Sequence, residues 1–214
     1  MAETVDGVVV GAEAVVETGL RDRKKARTRE AIRTAALDLF EEQGFERTTV
    51  DQICRRADVA HRTFFRYYPS KESLLFGWDF GRQIIDEFAA APAALGLWEA
   101  FWHALTATGG RLEEPAEHTA RRRLLRRRFL DVRSVHDHAI LQVDTFVQRT
   151  IEAAAGRLGT DPDEDLRAHA LGAALGAMTR RHIMVGSSEP WLPEAWEEAF
   201  RTLVPPGPGP RADG

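Results

Sequence analysis

A short helical pattern from His61 to Tyr67 carries side chains that could recognise a partner. Phe64 and Tyr68, four residues apart, take the inner side of this helix. The residues left to project outward are His61, Arg62, Thr63 and Arg66. Imidazole, guanidinium and hydroxyl groups donate hydrogen bonds to phosphate oxygens and to base edges in a DNA groove. The chemistry that this surface offers is therefore recognition of a nucleic acid.

Catalytic chemistry finds little support elsewhere in the chain. His136, Asp137 and His138 form the one cluster that resembles a metal site. On a helix, however, residues two apart point about 200° away from each other, so they cannot hold one ion together. The sequence also has no HExxH motif, no second cysteine and no glycine-rich phosphate loop. We therefore predict no enzyme activity, no metal and no cofactor.

Two short helices around a tight turn must position the recognition surface. Val50, Ile53 and Ala57 fall at i, i+3 and i+7, which gives the first helix one apolar face. The turn that follows begins with Asp58, which tolerates the left-handed conformation that glycine would otherwise supply. Pro69 ends the second helix. This order predicts a helix-turn-helix, whose second helix enters a DNA groove.

From Arg23 to Leu75 the chain resembles the N-terminal DNA-binding domain of TetR-type one-component regulators. The matching features are a basic first helix, the Gly44-Phe45 break, Thr48-Thr49 before the second helix, and FFRYYPSKE at the end of the third. Where the family usually has Gly, Ser and Tyr, this chain has Asp58, Ala60 and Phe65. The resemblance implies an operator-binding protein whose second domain binds a small ligand and dimerises through its last two helices.

The outward face and the resemblance together predict the DNA contacts. The predicted contacts to base edges are His61, Arg62 and Thr63. The predicted contacts to phosphates are Thr48, Thr49, Arg66, Tyr67 and Lys71. Phe65 belongs to the same surface but lacks the hydroxyl that commonly meets a phosphate. The segment from Leu20 to Lys71 fits a polyanionic partner, because it holds 13 basic against 8 acidic residues while the rest of the chain holds 16 against 25.

The whole chain is predicted to be all-α, because Ala, Leu, Arg and Glu recur at helical spacing without a run of β-branched residues. We expect about nine helices. They form a three-helix DNA-binding domain at 21–71 and a helical effector-binding and dimerisation domain at 72–204. The stretch 1–20 and the Pro/Gly-rich stretch 205–214 are predicted to be disordered. The limits predicted for the first, fourth and last helices are 27–43, 72–90 and 193–203.

An aromatic stripe is the first candidate for a ligand pocket. The residues at i, i+3, i+4 and i+7 of one helix are Trp98, Phe101, Trp102 and Leu105. Such large side chains can wall a cavity or form ordinary core, and the sequence leaves these alternatives equal. Further candidates on other helices are Phe129, Phe146, Met178 and His182.

Six arginines lie within the run 121–128, on little more than two helical turns. Such a run is usually a solvated face, and nearby Glu113 and Glu117 offer partners. Six arginines nevertheless surround the helix, so at least one should face a cavity or a partner, and Arg122 and Arg126 are the candidates for binding an anion. The C-terminal half also resembles an acyl-CoA-responsive branch typified by mycofactocin-type regulators, in its arginine-rich helix and the segments RLG and DPDEDLRA. That resemblance implies an acyl-CoA effector.

A face of small residues is the candidate dimer interface. The segment AHALGAALGA at 168–177 allows close approach between helix backbones. The predicted interface residues are Ala170, Ala173, Ala174 and Ala177, with Trp191, Trp196 and Phe200 farther along. The alternative is that the small residues pack inside one subunit. A helix-turn-helix that reads paired half-sites favours a homodimer.

These features predict a ligand-responsive homodimeric regulator, a repressor rather than an activator. It binds palindromic double-stranded operator DNA and releases it when a small hydrophobic or amphipathic effector binds. The alternative is a helical ligand-binding or protein-interaction module whose helix-turn-helix is vestigial. Cys54 is the only cysteine, which fits a bacterial cytoplasmic protein without an internal disulfide, and no membrane partner is expected.

Overall fold

The computed structural model of the chain describes residues 11–76, 78–109, 116–185 and 198. Within these residues every regular element is a helix, which confirms the predicted all-α class. The α-helices are α1 (Gly11–Gln43), α2 (Val50–Arg56), α3 (His61–Tyr67), α4 (Trp78–Ala90), α5 (Leu97–Gly109), α6 (Ala116–Phe129), α7 (Arg133–Leu158) and α8 (Leu166–Arg180). A 3-10 turn (Glu72–Leu75) precedes α4, and a π-helical turn (Arg181–Val185) follows α8. The described residues therefore hold eight α-helices rather than about nine, and the helix predicted at 193–203 lies outside them apart from residue 198.

The chain divides into two compact units between Leu74 and Leu75. In the first unit, α1 supplies one side of the core and α2 and α3 supply the other. The fully buried side chains of this core include Ile32, Leu37, Phe40, Ile53 and Phe64. Gly44 ends α1 as predicted, with a φ of 86° that favours glycine. Its N–H donates to the carbonyl of Phe40 at 3.1 Å.

Helix α1 begins earlier than the sequence analysis placed it. It starts at Gly11 instead of residue 27, so residues 11–20 are helical rather than part of a disordered arm. This stretch, GAEAVVETGL, has no proline and holds several alanines and glutamates, which have high helix propensity. Extending an existing helix is far easier than nucleating one, so a modest propensity is sufficient here.

The predicted fourth helix is divided in the structure. Instead of a continuous helix over 72–90, a 3-10 turn at Glu72–Leu75 is followed by α4, which starts at Trp78. The residues at 74–76 are all buried. Because consecutive residues of an α-helix point about 100° apart, one helix face cannot bury three in succession. The break lets each of these apolar side chains enter a core.

The second unit is built around α4 and α7. Helix α4 packs against α5 and α7, and α7 packs against α8. The buried residues shared among these helices include Ile84, Phe88, Phe101, Leu105, Ile151, Ala154 and Leu175. Two glycines of α8 allow its close approach to α7. A Cβ on Gly172 would lie 2.7 Å from Ile151 Cγ1, and a Cβ on Gly176 would overlap Val147.

Arg157, near the end of α7, binds the chain where α4 ends. Its Nη1 donates to the carbonyls of Phe88 at 3.2 Å and Ala91 at 2.7 Å. Its Nη2 donates to the carbonyls of Pro92 at 2.9 Å and Leu95 at 3.1 Å. The last carbonyls of a helix have no partner within the helix. A single guanidinium therefore satisfies the end of α4 and the loop after it.

Candidate nucleic-acid interface and effector site

The turn between α2 and α3 contains the left-handed residue that the sequence predicts. Asp58 has a φ of 52°, and it is the one non-glycine residue with a positive φ among the described residues. Its N–H donates to the Arg55 carbonyl at 3.4 Å, and the N–H of Val59 donates to the Cys54 carbonyl at 3.0 Å. This pair of bonds is a Schellman motif. It closes α2 and fixes the direction in which the chain enters α3.

The start of α2 is held by a capping box. The Gln52 N–H donates to Thr49 Oγ1 at 3.2 Å, and the Thr49 N–H donates to Gln52 Oε1 at 2.8 Å. Gln43 Nε2, at the end of α1, also donates to Gln52 Oε1 at 3.0 Å. Thr49 remains exposed. Thr49, which is predicted to hold a phosphate, is thus exposed at the start of a helix that Gln52 links to α1.

Helix α3 has the buried and exposed sides that the sequence predicts. Phe64 is fully buried, and Tyr68 is buried with its hydroxyl donating to the Arg29 carbonyl at 3.2 Å. The exposed residues are His61, Arg62, Phe65 and Arg66. Thr63 and Tyr67 are half-buried. The exposed face of α3 therefore combines cationic, imidazole and aromatic groups.

His61 and Phe65 form an aromatic edge on this exposed face. Their ring centres lie 5.7 Å apart in a T-shaped arrangement, and Phe65 is 51% exposed. The His61 Nε2 lies 2.5 Å from Asp51 Oδ1, which links α3 to α2. From the sequence, Phe65 is notable because it lacks the hydroxyl of the usual tyrosine. The structure adds that its ring presents an apolar surface beside His61.

Two residues predicted to hold phosphates have internal roles. Thr48 is buried, and its hydroxyl donates to the Gly44 carbonyl at 2.8 Å and accepts from Gln43 Nε2 at 3.2 Å. The Lys71 ammonium donates at 2.9 Å to the carbonyls of Phe45 and Thr48 and lies 4.2 Å from the centre of the Phe45 ring. Burial lowers the pKa of Lys71. In the structure both side chains stabilise the connection between α1 and α2, and their phosphate contacts stay predictions.

Two guanidinium groups lie beside the half-buried ring of Tyr67. Arg66 lies 5.0 Å from the ring centre and Arg29, from α1, lies 5.7 Å from it. Cation–π contacts of this kind hold a guanidinium in place without neutralising its charge. Tyr67 therefore brings a cation of α1 next to one of α3, at the surface predicted to meet the DNA backbone.

The arginines of the motif differ in their ion pairs. Arg56 binds Glu42 of α1 through two hydrogen bonds of 2.6 and 2.7 Å, which raise the pKa of Arg56 and lower that of Glu42. Among the described residues, no carboxylate forms an ion pair with Arg62 or Arg66. Arg56 thus connects α2 to α1, while the two arginines of α3 keep their charge for a partner.

The aromatic stripe of α5 divides between the two alternatives. Phe101 and Leu105 are fully buried in the core, where Phe101 lies 6.1 Å from the Phe88 ring. Trp98 and Trp102 are half-buried and stack on each other with ring centres 6.5 Å apart. Phe101 and Leu105 are therefore core residues. The two indoles remain available to a ligand that reaches α5.

The other candidates for the ligand pocket differ in their burial and neighbours. Phe146 and Met178 are half-buried and pack against it. Phe129 is buried, with the Arg128 guanidinium 5.4 Å from its ring centre. His182 is half-buried, and burial, followed by the charges of Arg126 and Arg123, lowers the pKa of His182 to about 4. His182 therefore lies close to the arginine run.

Arg122 and Arg126 are the two arginines of the run that the structure buries. They are 8% and 5% exposed, one helical turn apart on α6, whereas Arg127 and Arg128 are exposed. The Arg126 guanidinium lies 5.7 Å from the centre of the Phe76 ring. Burial, followed by the charges of Arg122 and Arg123, lowers the pKa of Arg126 to about 10. This face of α6 therefore concentrates positive charge inside the second unit.

Two aromatic residues that no sequence pattern predicted for the site lie next to this charge. Phe76 is buried, and its ring lies 5.1 Å from that of His138 on α7 as well as beside Arg126. No motif marks Phe76, which follows the helix-turn-helix in an apolar run. His138 was considered only as a metal ligand. Gln142 lies one helical turn after His138. Only the structure shows the hydrogen bond of 3.0 Å between Gln142 Nε2 and a ring nitrogen of His138.

The small-residue segment of α8 presents two different faces. Gly172 and Gly176 are buried against α7, so one part of the segment packs inside the subunit. The opposite face carries exposed Ala170, Ala173 and Ala177, with Ala174 half-buried. The other predicted interface residues, Trp191, Trp196 and Phe200, lie outside the described residues.

Two searches of the described residues bear on other classes of function. No group of three or more His, Cys, Asp or Glu side chains among them is arranged to hold a metal ion. No described helix has the length and apolar composition needed to cross a bilayer.

Comparison with known proteins identifies the class of protein that this fold and surface define. The model of the family described as bacterial regulatory proteins, tetR family, matches residues 32–77. The HTH-type transcriptional regulator TcmR of Streptomyces glaucescens is 34% identical over 204 residues, which cover 87% of this chain and 87% of TcmR. The chain therefore belongs to the tetR family. It is a DNA-binding transcriptional regulator with a helix-turn-helix, and its relatives are regulators rather than enzymes.

Two further proteins resemble this chain, one over a short segment and the other over most of its length. MftR of Mycobacterium tuberculosis, a regulator assigned to mycofactocin biosynthesis, is 40% identical over 62 residues, which cover 29% of this chain and 31% of MftR. A transcriptional regulator of Aquifex aeolicus VF5 of known structure is 19% identical, with a TM-score of 0.45, over 83% of this chain and 99% of that chain.

Proposed function

We propose that the protein is a homodimeric repressor that binds a palindromic operator through α3 and leaves it when a small amphipathic effector binds. The observation that carries the proposal is the exposed face of α3, where Arg62 and Arg66 keep unneutralised charge. Residues 21–71 form the DNA-binding domain in this proposal. Residues 72–204 form the effector-binding and dimerisation domain.

The assignment of contacts follows from the order of the residues along α3. His61 and Arg62 lie in the first turn, the part of a recognition helix that meets base edges. Half-buried Thr63 completes this base-reading group. Arg66 lies farther along, beside Tyr67, where a guanidinium suits a phosphate. Phe65 supplies an apolar contact of the kind that suits a thymine methyl group.

The dimer of this proposal uses the exposed alanine face of α8. Ala170, Ala173 and Ala177 lie in one row, so a second copy of the helix can approach closely along it. A two-fold interface places the same surface on both subunits, which matches the symmetry of a palindrome.

The effector of this proposal has an anionic group and an apolar part. The buried arginines of α6 suit the first, and the half-buried indoles of α5 suit the second. An acyl-CoA combines both. Titrating the protein–operator complex with acyl-CoAs of increasing chain length tests this effector, and release at no length would remove acyl-CoAs from the proposal while leaving the DNA-binding role intact.

The experiment that tests DNA recognition begins by selecting duplexes from a random library with the full-length protein. Enrichment of an inverted repeat is expected, whereas no enrichment of any sequence would favour a helical module with a vestigial motif. On the selected duplex, Arg62→Ala is expected to relax base preference at one position of each half-site. Arg66→Ala should weaken binding to all duplexes alike and reduce the slope of log affinity against log salt concentration by about 1. Arg127→Ala, an exposed change on α6, is the control.

A further inference from the structure

We propose that Arg126 is the centre of an interior oxyanion site, which takes the carboxylate or phosphate group of an organic effector. The proposal rests on the effector-binding role proposed above and assigns its charge-recognising residue. Arg126 is 5% exposed, and its Nε makes no hydrogen bond among the described residues. Burying a guanidinium without a carboxylate is costly, so proteins pair such groups or use them to bind an anion.

The surroundings of Arg126 add positive charge instead of cancelling it. The charged groups that act on it are those of Arg122, one helical turn before it, and Arg123. His182 is a further neighbour, because burial and then the charges of Arg126 and Arg123 disfavour its protonation. No described carboxylate forms an ion pair with Arg126. An anion placed here would be attracted by several cationic groups at once.

The shape around Arg126 favours an organic anion over a hydrated inorganic one. The guanidinium is held against the Phe76 ring at 5.7 Å, and the His138 ring lies 5.1 Å from that of Phe76. The cation–π contact with the Phe76 ring leaves an edge of the guanidinium, which includes the unpartnered Nε, for hydrogen bonds. That edge presents parallel N–H groups whose spacing matches carboxylate and phosphate oxygens. The aromatic neighbours suit the carbon attached to such a head group.

The site also has a place in the chain that matters for regulation. Phe76, which carries Arg126 on its ring, is two residues beyond Leu74, where the DNA-binding unit ends. An anion that draws the guanidinium toward itself changes the packing of Phe76. Because α4 begins directly after this segment, the charge of the effector is sensed at the point where the two units join along the chain.

A test without any ligand uses the variant Arg126→Met, which keeps the length of the side chain and removes the buried charge. The Tm of the ligand-free protein is expected to rise by about 2–4 °C, because an uncompensated buried charge is lost. Arg127→Met, the same change at an exposed position of α6, should leave the Tm within about 1 °C. A fall in Tm for Arg126→Met alone would mean that Arg126 has a structural role, and it would overturn the proposal.

A second test uses three probes with the same chain, namely decanoate, decyl phosphate and 1-decanol. At least one of the two anions is expected to raise the Tm of the wild type and of Arg127→Met and to leave Arg126→Met unchanged. The comparison between the two anions separates carboxylate from phosphate. Decanol should not distinguish the variants. Failure of both anions to stabilise the wild type more than Arg126→Met would overturn the proposal.

Arg126→Lys guards against a folding defect in the first variant. Lysine keeps the charge but loses the planar fork, so the anions should still raise its Tm by a smaller amount than in the wild type. Equal shifts in Arg126→Met and Arg126→Lys would contradict the proposed site. Binding to the selected operator is measured in parallel without probes. If the wild type does not bind the operator, the proposed function is wrong. The Tm shifts would still show whether Arg126 binds an anion.

Discussion

Lys71 donates a hydrogen bond to the main-chain carbonyl of Phe45 at 2.9 Å, and the same ammonium lies over the Phe45 ring, 4.2 Å from its centre. A second bond of 2.9 Å reaches the carbonyl of Thr48. The lysine thus binds the segment between α1 and α2, although it lies 26 residues after Phe45 and 23 residues after Thr48 in the chain. The Lys71 ammonium therefore stabilises the first unit from within.

Replacing Lys71 by Met should lower the stability of the protein. The variant loses two charge-assisted hydrogen bonds, so the free energy of unfolding is expected to fall by on the order of 2 kcal/mol. The slope of operator affinity against salt should stay close to that of the wild type. Urea denaturation and anisotropy titrations at two salt concentrations measure both quantities, with Arg127→Met, an exposed change on α6, as the control. A reduced salt slope at unchanged stability would return Lys71 to the phosphate contacts.

Replacing Asp58 by Gly should stabilise the helix-turn-helix. Asp58 holds a φ of 52°, a conformation that costs an L-residue with a side chain more than it costs glycine. The free energy of unfolding is expected to rise by up to about 1 kcal/mol, and Asp58→Ala should lower it. Thermal denaturation of the three proteins provides the comparison. Lower stability of Asp58→Gly than of the wild type would show that the Asp58 carboxylate stabilises the turn by more than the strain costs.

Substitutions on the two faces of α8 should have different consequences. Gly176→Leu places a side chain where Val147 already lies, so it should destabilise the subunit by about 1–3 kcal/mol. Ala173→Arg changes an exposed position and should leave the subunit folded but monomeric. Circular dichroism reports the fold and sedimentation velocity reports the mass. A dimeric Ala173→Arg protein would remove this face from the proposed interface.

Acid should destabilise the protein through His182. Burial and two arginines lower the pKa of His182 to about 4, below its ordinary value of 6.5. The unfolded chain therefore takes up a proton at this residue as the pH falls from 6.5 toward 4, while the folded protein does not, so stability decreases across that window and no further below it.

The matched variant for this pH effect is His182→Gln, which removes the titrating group. Its urea midpoint should change less between about pH 7.5 and about pH 5 than that of the wild type. His103→Gln, at an exposed position of α5, serves as the control and should behave as the wild type does. An identical pH dependence in all three proteins would contradict the assignment to His182.

Local features of the first unit could be predicted from the sequence because neighbouring residues determine them. The buried side of α3, set by Phe64 and Tyr68, and the left-handed Asp58 depend on residues within one or two turns. The roles of Thr48 and Lys71 could not be predicted in the same way. Lys71 bonds to the carbonyls of Phe45 and Thr48, which become its neighbours only when the first unit folds. The Gly44 carbonyl bound by Thr48 is four residues away, but the burial of Thr48 depends on packing.

In the second unit the sequence predicted helices better than it predicted their faces. The run of arginines surrounds α6, so its periodicity alone does not single out a buried guanidinium. Arg122 and Arg126, the two candidates named from the run, are the ones that packing buries. The stripe on α5 has a regular apolar spacing, but this spacing does not distinguish buried side chains from half-buried rings. Trp98 and Trp102 pack against the same core as Phe101 but stay half-buried, whereas Phe101 is fully buried.

The four carbonyls bound by Arg157 give helix α4 one fixed end. This anchored end is the one farther along the chain from the DNA-binding unit, while the other begins at Trp78, directly after it. If α4 shifts while these carbonyls stay bound, its displacement grows with distance from the bound end. A small rotation of α4 would therefore displace the residues beside Arg157 least and those near Trp78, at the start of the helix, most.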